Sequence, residues 1–329
     1  MQASAPDSDG ILHALTLTGD GKGSPVAESE LNELWSDGKS AIWVHIDYSR
    51  DKAQTWVRNS SALDEIVVEA LLAEETRPRV VPFGPGLLIC LRGVNLNPGA
   101  EPEDMVALRL WIDERRIITS TQRAILSIGD LADALQKGLG PSEPGEFLAE
   151  LCDRLIQRMG DTVEDLEIQM DDLEDLLIEG EPEGLRYQVS QLRRESVSLK
   201  KHMAPQREAL SRLAAEKCPW LSTDHRRLIR EVNEHLIRHI ENLETVRERA
   251  ALTQEELLSR LSEQLNARMY VLSLMTAIFL PLSFLTGLMG INVGGIPGAS
   301  HPWAFSIFLA ILGLIVLVEI LYFRKRKWL

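Results

Sequence analysis

The stretch MYVLSLMTAIFLPLSFLTGLMG, residues 269–290, contains no charged residue and decides the class of fold. As a helix rising 1.5 Å per residue it would be about 33 Å long, enough to cross a hydrocarbon core of about 30 Å. A second apolar stretch, WAFSIFLAILGLIVLVEILYF at residues 303–323, has Glu319 as its only charged residue. A buried hairpin of a large soluble protein is the alternative, but two stretches of this length favour a pair of transmembrane helices.

Basic residues beside the two spans predict their orientation. Arg268 precedes the first span and the tail RKRKWL, residues 324–329, follows the second, whereas the connecting residues 291–302 contain no Lys or Arg. By the positive-inside rule, both termini are cytoplasmic and the connection is an outside loop. Pro302 suits the first turn of a helix, so the second span is expected to begin there. Glu319 lies about one turn from the basic tail, and snorkelling towards this tail or pairing with it is favoured over a transport role.

Composition excludes several classes of protein. The 329 residues carry a formal net charge of -14, which disfavours nucleic-acid binding and suits a cationic partner. The three cysteines, Cys90, Cys152 and Cys218, are far apart, so neither a disulfide framework nor a cysteine zinc site is indicated. The N-terminus MQASAPDSDG is not a signal peptide, and the large N-terminal part is expected to stay in the cytoplasm. We find no P-loop, nucleophile elbow or HExxH motif, so an enzyme is not expected.

The part before the spans predicts an α/β domain followed by a long helical region. Short apolar or alternating segments predict strands at residues 11–17, 41–46, 87–91 and 105–112, and helices are predicted at residues 61–75 and 125–137. From about residue 146 the pattern is helical. Residues 224–268 contain neither Pro nor Gly, and joined to the first span they predict one helix about 100 Å long.

An acidic segment at residues 161–183 contains eleven Asp or Glu residues and no basic one. Gly180 and Pro182 are expected to end its helix, and the segment from Arg186 to Arg212 that follows is basic. An antiparallel helical hairpin of opposite charge is the structural interpretation, and an acidic surface that attracts cations near an inner pore mouth is the functional one. Both interpretations stay open.

His235 and His239 stand four residues apart on the long helix, with Glu231 and Glu234 nearby. This spacing can bind zinc. A solvated or interface pair of histidines is the alternative, and it is favoured on the sequence alone.

One face of the first span combines small, hydroxylated and flexible apolar residues. The residues that recur at steps of three and four are Asn266, Met269, Leu272 or Ser273, Thr276, Leu280, Ser283 and Gly287. Pore lining and ordinary packing by small residues explain this face equally well. Since two helices cannot enclose a pore, pore lining would require several chains. Pro281 frees the carbonyl of Ala277 and predicts a mild kink.

At the end of the first span, Gly290-Ile291-Asn292 is followed by VGGIPG at residues 293–298. Here the sequence resembles the CorA superfamily of divalent-cation channels, the two-TM-GxN family, whose signature at this place is Gly-Met-Asn. Ile in place of Met, together with VGGIPG, is similar to the ZntB branch, which is assigned to zinc transport. EETRPRV at residues 74–80 and MAPQREALSRLAAEKCPW at residues 203–220 are also similar to that branch.

This resemblance implies a funnel-shaped homopentamer in the bacterial inner membrane, with the first transmembrane helix of each chain lining the pore. Asn292 would form a ring at the outer mouth, where neutral carboxamide oxygens accept hydrogen bonds from a hydrated cation without trapping it. Without the resemblance, Asn292 could simply cap the helix end. The family's pore constrictions would fall at Asn266, Met269, Leu272, Leu280 and Ser283.

The resemblance also implies the cargo: Zn²⁺ is the transported ion, no cofactor is needed, and uptake is coupled to protons, although export has also been proposed for the branch. A CorA-type Mg²⁺, Co²⁺ or Ni²⁺ channel is the main alternative, and a non-transporting membrane anchor is a third. The outside loop departs from CorA channels because it contains no acidic residue, and its His301 either contacts zinc or stands in water.

The predicted organisation has six segments. They are a cytoplasmic α/β domain at 1–145, a cytoplasmic helical stalk at 146–268, a pore-lining transmembrane helix at 269–291, a periplasmic loop at 292–302, a second transmembrane helix at 303–323 and a basic cytoplasmic tail at 324–329.

Overall fold

Seven strands form one mixed sheet in the N-terminal part of the chain. The computed structural model describes residues 10–38, 40–180, 184–291, 298 and 301–326. The strands are β1 (Ile11–Leu17), β2 (Gly23–Pro25), β3 (Ala41–Asp47), β4 (Arg79–Phe83), β5 (Gly86–Gly93), β6 (Val106–Ile112) and β7 (Arg116–Thr121). Their order across the sheet is β2-β1-β3-β7-β6-β5-β4, and only β3 and β7 pair in parallel.

Eight helices are described along the chain. They are α1 (Glu28–Asp37), α2 (Asp51–Asn59), α3 (Glu65–Leu72), α4 (Leu126–Lys137), α5 (Pro144–Glu179), α6 (Leu185–Ala215), α7 (Thr223–Met289) and α8 (Ala304–Lys325). The chain divides into two compact units, Met1–Gln254 and Glu255–Leu329. The boundaries predicted at residues 145, 268, 291, 302 and 323 stay predictions.

The predicted mixture of strands and helices is confirmed, and so is the long helix before the second apolar span. The helix expected at residues 61–75 is shorter. It begins at Glu65 because the Asp64 side chain accepts a hydrogen bond from the Ile66 N–H at 2.9 Å, and it ends where Ala73 turns to extended backbone. The second apolar helix begins at Ala304, two residues after the predicted Pro302.

Buried side chains fill both faces of the sheet. On one face, Trp43 is fully buried, donates from Nε1 to Thr119 Oγ1 at 2.8 Å, and lies 4.9 Å from the Phe147 ring of α5. On the other face, Val44 and Ile46 join a cluster with side chains from α1, α2 and α3. Alternate residues of β3 therefore point to opposite layers, as strand geometry requires.

Helices α5, α6 and α7 are linked to the sheet and to one another. Gln206 of α6 is fully buried, accepts from the Arg92 N–H at 2.6 Å and donates to the Arg92 carbonyl at 3.2 Å, which docks α6 on β5. Helices α5 and α6 pack together, as the predicted hairpin requires. The acidic residues Asp171 and Glu174 of α5 pair instead with Arg249 of α7, at 2.5 and 2.6 Å.

Acid destabilisation of the N-terminal unit is expected to depend on His45. Burial lowers the pKa of His45 to about 3, whereas an unfolded histidine has a pKa of about 6.5. As the pH falls through this window, the unfolded chain gains a proton that the folded chain excludes, so stability present above about pH 6.5 is lost. His45→Gln should reduce the loss in unfolding free energy between about pH 7.5 and about pH 5 by about 2 kcal/mol.

Denaturant titrations at the two pH values, followed by the tryptophan signal, would measure this difference. His301→Gln, at an exposed position of the other unit, is the control and should keep the wild-type pH dependence. An equal pH dependence of wild type and His45→Gln would contradict the assignment.

Candidate functional site

The six predicted pore-lining residues all lie on an exposed face of α7. They are Asn266, Met269, Leu272, Thr276, Leu280 and Ser283. The apolar members are more than half exposed, with Met269 59%, Leu272 60% and Leu280 67% exposed. Large apolar side chains left this open need a cover of lipid or protein.

The opposite face of α7 is half-buried. Its half-buried positions from residue 271 onward are Leu274, Ile278, Pro281, Leu282 and Leu285. At about 100° of rotation per residue, their mean direction is about 180° from that of the six predicted residues. The more protected positions of α8 also form one stripe, comprising Ala304, Phe308, Leu312, Ile315, Val316, Glu319 and the buried Phe323. Matching stripes of this kind are expected of two helices that pack together, and they leave the predicted face uncovered.

Hydroxyl groups on this stretch of α7 turn oxygen lone pairs outward. Thr276 Oγ1 donates its proton to the Leu272 carbonyl at 2.8 Å, and Thr286 Oγ1 donates to the Leu282 carbonyl at 2.9 Å. A hydroxyl that donates to its own helix keeps acceptor capacity. Thr276 belongs to the uncovered face and Thr286 lies to one side of it, so the face combines oxygen acceptors with apolar side chains, which suits a hydrated cation that passes without being trapped.

The Gly290-Ile291-Asn292 segment follows the last residue of α7. The Gly290 N–H donates to the Thr286 carbonyl at 2.9 Å and to the Gly287 carbonyl at 3.1 Å, which closes the final turn of the helix. Ile291 is 50% exposed. Asn292 lies outside the described residues, so its predicted role stays a prediction.

Two ionisable residues of the second unit take different positions. His301 is exposed, and its Nδ1 accepts a hydrogen bond from the Trp303 N–H at 3.2 Å, so one ring nitrogen is occupied at the start of α8. Glu319 is half-buried, and its Oε2 has no hydrogen-bond partner among the described residues. The predicted pairing of Glu319 with the basic tail is therefore not seen with residues 324–326, and the rest of that tail lies outside the described residues.

His235 and His239 line a cavity of about 540 Å³ between α5 and α7. The other lining residues are Asp153, Gln157, Gly160, Asp161, Val163, Glu164, Glu167 and Asn242. Burial lowers the pKa of His239, and the nearby His235 lowers it further. Among the described residues, no three His, Cys, Asp or Glu side chains are already gathered as a metal site.

Acids of two helices lie beside the histidines, and one of the two acids named from the sequence is among them. Glu231 lines a neighbouring cavity of about 420 Å³ together with His235, while Glu234 lines neither of the two cavities. The carboxylates that share the histidine cavity come from α5, about 70 residues earlier in the chain. The spacing of Asp161, Glu164 and other acids at steps of three and four indicates that they share one face of a helix. It does not indicate which helix packs against that face.

Comparison with known proteins places this geometry in a family. The family model described as CorA-like Mg²⁺ transporter protein matches residues 38–325. The chain belongs to this CorA-like family. It is 39% identical to the divalent cation transporter CmaX of Pseudomonas aeruginosa, over 98% of both chains. It is 36% identical to the zinc transport protein ZntB of Yersinia enterocolitica, over 94% of both chains.

A solved structure also matches almost the whole CorA-like chain. The structure of the full-length CmaX protein superimposes with a TM-score of 0.87 at 38% identity, covering 99% of this chain and 100% of that one. This confirms the predicted fold class, a mixed-sheet domain with a long helix and two C-terminal apolar helices. The relatives are transporters, which confirms that the chain is a metal-ion transporter of the CorA/ZntB type and not an enzyme.

Opposite faces of α7 should differ in their access to water in the membrane. In a chain with Cys218 replaced by serine, Leu280→Cys should react with a charged, water-soluble thiol reagent at least about tenfold faster than Ile278→Cys, because a thiol needs water to ionise and react. Cys90 and Cys152 are buried and should contribute little background. Labelling in intact membranes measures both rates, and equal rates at the two positions would contradict the assignment of the open face.

Proposed function

We propose that the chain transports Zn²⁺ across the bacterial inner membrane, with the exposed face of α7 as the wall of the ion path. The observation that carries this proposal is the face itself. It lies opposite the half-buried stripe of α7 and combines hydroxyl oxygens that keep acceptor capacity with exposed apolar side chains. The 36% identity to a zinc transport protein over 94% of both chains supports zinc as the cargo.

The proposed transporter is a homopentamer. One chain supplies only two apolar helices long enough to cross a membrane among its described residues. Two helices cannot enclose a path, and the open face of α7 needs other protein if it is to meet water and not lipid. Copies of the same chain arranged around an axis satisfy both requirements, and the resemblance to CorA channels supports five of them.

In the proposed topology both termini are cytoplasmic. Residues 269–291 form the pore-lining span, residues 292–302 the periplasmic loop and residues 303–323 the second span. The basic residues Arg324, Lys325 and Arg326 follow the second span, and the positive-inside rule supports their cytoplasmic placement.

Asn292 is proposed as the ring at the outer mouth, directly after the turn that Gly290 closes. A ring of carboxamides offers neutral oxygen acceptors to the water shell of an ion. Such contacts are weak enough for release, which a transport path requires. His301 is proposed as a minor contact at most, because its Nδ1 already accepts from the Trp303 N–H.

A Mg²⁺, Co²⁺ or Ni²⁺ channel is the alternative function, and the description of the matching family model favours magnesium. Oxygen acceptors along α7 suit magnesium and hydrated zinc equally well. The zinc proposal therefore rests on the ZntB relatives, and the CmaX relative is compatible with both.

Replacement of Asn292 should remove transport. The purified chain in liposomes that contain a zinc-sensitive dye should take up Zn²⁺, and Asn292→Ala should lower the initial rate at least about tenfold, because the ring that receives the hydrated ion is lost. The matched control is the adjacent Ile291→Met, which gives the CorA signature and should retain transport. Uptake by Asn292→Ala at the wild-type rate would contradict the ring, and uptake of Mg²⁺ without Zn²⁺ would favour the alternative function.

Proton coupling is part of the proposal and has its own test. An inward proton gradient should increase the initial rate of Zn²⁺ uptake into the same liposomes, since proton entry would drive ion entry. The control is the same gradient collapsed by a protonophore, which should return the rate to that of symmetric pH. A rate that does not change with the gradient would contradict coupling while leaving zinc transport intact.

A further inference from the structure

The cavity between α5 and α7 contains imidazoles and carboxylates that the proposed ion path does not use. His235 and Asp153 line both this cavity of about 540 Å³ and the neighbouring one of about 420 Å³. The second cavity adds Glu146, Glu150 and Glu231. The two cavities together make an acidic groove along one side of the helix pair, and all of it lies within the first unit.

The two histidines are placed to act together. Residues four apart on a helix lie one above the other, with about 5–6 Å between their Cβ atoms, so two imidazoles can reach one ion. The ring of His239 lies directly against the backbone of α5 at Gly160. A Cβ atom at position 160 would stand 2.6 Å from Cε1 and 2.7 Å from Nε2 of His239, so this approach requires glycine.

The carboxylates of the cavity are among those of the acidic segment that have no basic partner in the described part of the chain. Farther along α5, Asp171 and Glu174 share Arg249 as their ion-pair partner. In the part of the chain that the structure describes, the four carboxylates that line the cavity form no ion pair; they are Asp153, Asp161, Glu164 and Glu167. Arg238 acts on His239 as a neighbouring positive charge, but the four carboxylates outnumber it, and the negative potential that remains would be relieved by a cation.

We propose that His235 and His239 bind one divalent transition-metal ion, with Zn²⁺ as the preferred ion, in the cavity between α5 and α7. Imidazole nitrogens suit zinc, whereas magnesium prefers oxygen ligands. In this proposal water completes the coordination, and Asp161 and Glu164 of the cavity accept hydrogen bonds from that water. A site with two protein ligands exchanges its ion readily, so its occupancy follows the zinc concentration around the first unit.

Zinc titration of the full chain in detergent, by calorimetry after chelator treatment, tests the site. All chains in this experiment carry Asn292→Ala, so that zinc bound at the proposed pore mouth does not contribute to the measured stoichiometry. In this background, His235→Gln/His239→Gln should lose one zinc per chain or bind it at least about tenfold more weakly. His202→Gln, on α6 and outside the cavity lining, is the matched control and should keep the zinc stoichiometry of the Asn292→Ala chain.

Gly160→Ala gives a second readout that leaves both histidines in the chain. The added Cβ would displace the His239 ring, so zinc should bind more weakly while Mg²⁺ heats stay unchanged. Thermal unfolding without metal shows whether each variant is folded before it is titrated. Unchanged zinc stoichiometry and affinity in the folded double variant would overturn the site. A wild-type chain that binds this zinc but transports none into liposomes would support the site and contradict the proposed transport.

Discussion

Helix α7 continues from polar into wholly apolar sequence without a break, and the rest of the chain depends on this continuity. A helix satisfies most of its backbone hydrogen bonds internally, so along the 67 residues of α7 the main chain needs a partner mainly at the two ends and at the Ala277 carbonyl that Pro281 frees. The side chains of α7, in contrast, need an environment that matches their polarity, and their polarity changes along the helix. Before residue 254 the buried side chains of α7 pack within the first unit, whereas Met269, Leu272 and Leu280 remain more than half exposed.

Within the first unit, α7 has one stretch that forms ion pairs with its neighbours and one stretch that faces unpaired acids. Arg249 ties α7 to α5 through Asp171 and Glu174, and Lys200 of α6 pairs with Glu244. About three turns before Arg249, at His235 and His239, the facing acids of α5 have no basic partner among the described residues, and the helices enclose a cavity in place of ion pairs. Part of the acidic segment therefore pairs with α7 and not with the basic helix α6 that the sequence suggested, and attraction of cations by the rest of the segment stays a prediction.

The elements that the sequence predicted are those with strong periodicity, and the missed ones have physical causes. Strands β2 and β4 contain Pro25 and Pro82, and a proline argues against a strand except at the edge of a sheet, which is where both strands lie. Strand β7 buries Thr119, Ser120 and Thr121 at the centre of the sheet. These polar residues are satisfied by β3 side chains and by the Leu71 carbonyl, partners that no local pattern reveals.

The segment EETRPRV at residues 74–80 also depends on partners that are distant in the sequence. Its similarity to the ZntB branch was visible in the sequence, but its structural reason was not. The Glu74 carbonyl accepts from Arg109 at 2.9 Å and the Thr76 carbonyl accepts from Arg92 at 3.0 Å, so two arginines of β5 and β6 hold this connection against the sheet. For the candidate site, helical spacing was sufficient to choose one face of α7. The face that packs, and the acids that meet His235 and His239, depend on which helices become neighbours.

Selectivity for zinc is difficult to place in the α7 face alone. Hydroxyl and amide oxygens contact the water shell of an ion, and the shells of Zn²⁺ and Mg²⁺ offer the same hydrogen-bond donors. Met269 adds a thioether sulfur, a soft ligand, but a single soft ligand per chain does not strip water from the ion. The imidazole pair that would distinguish zinc lies in the first unit, outside this face. Transport and zinc recognition can therefore reside in different units of one chain, in which case a variant that loses the imidazoles changes the response to zinc without closing the path.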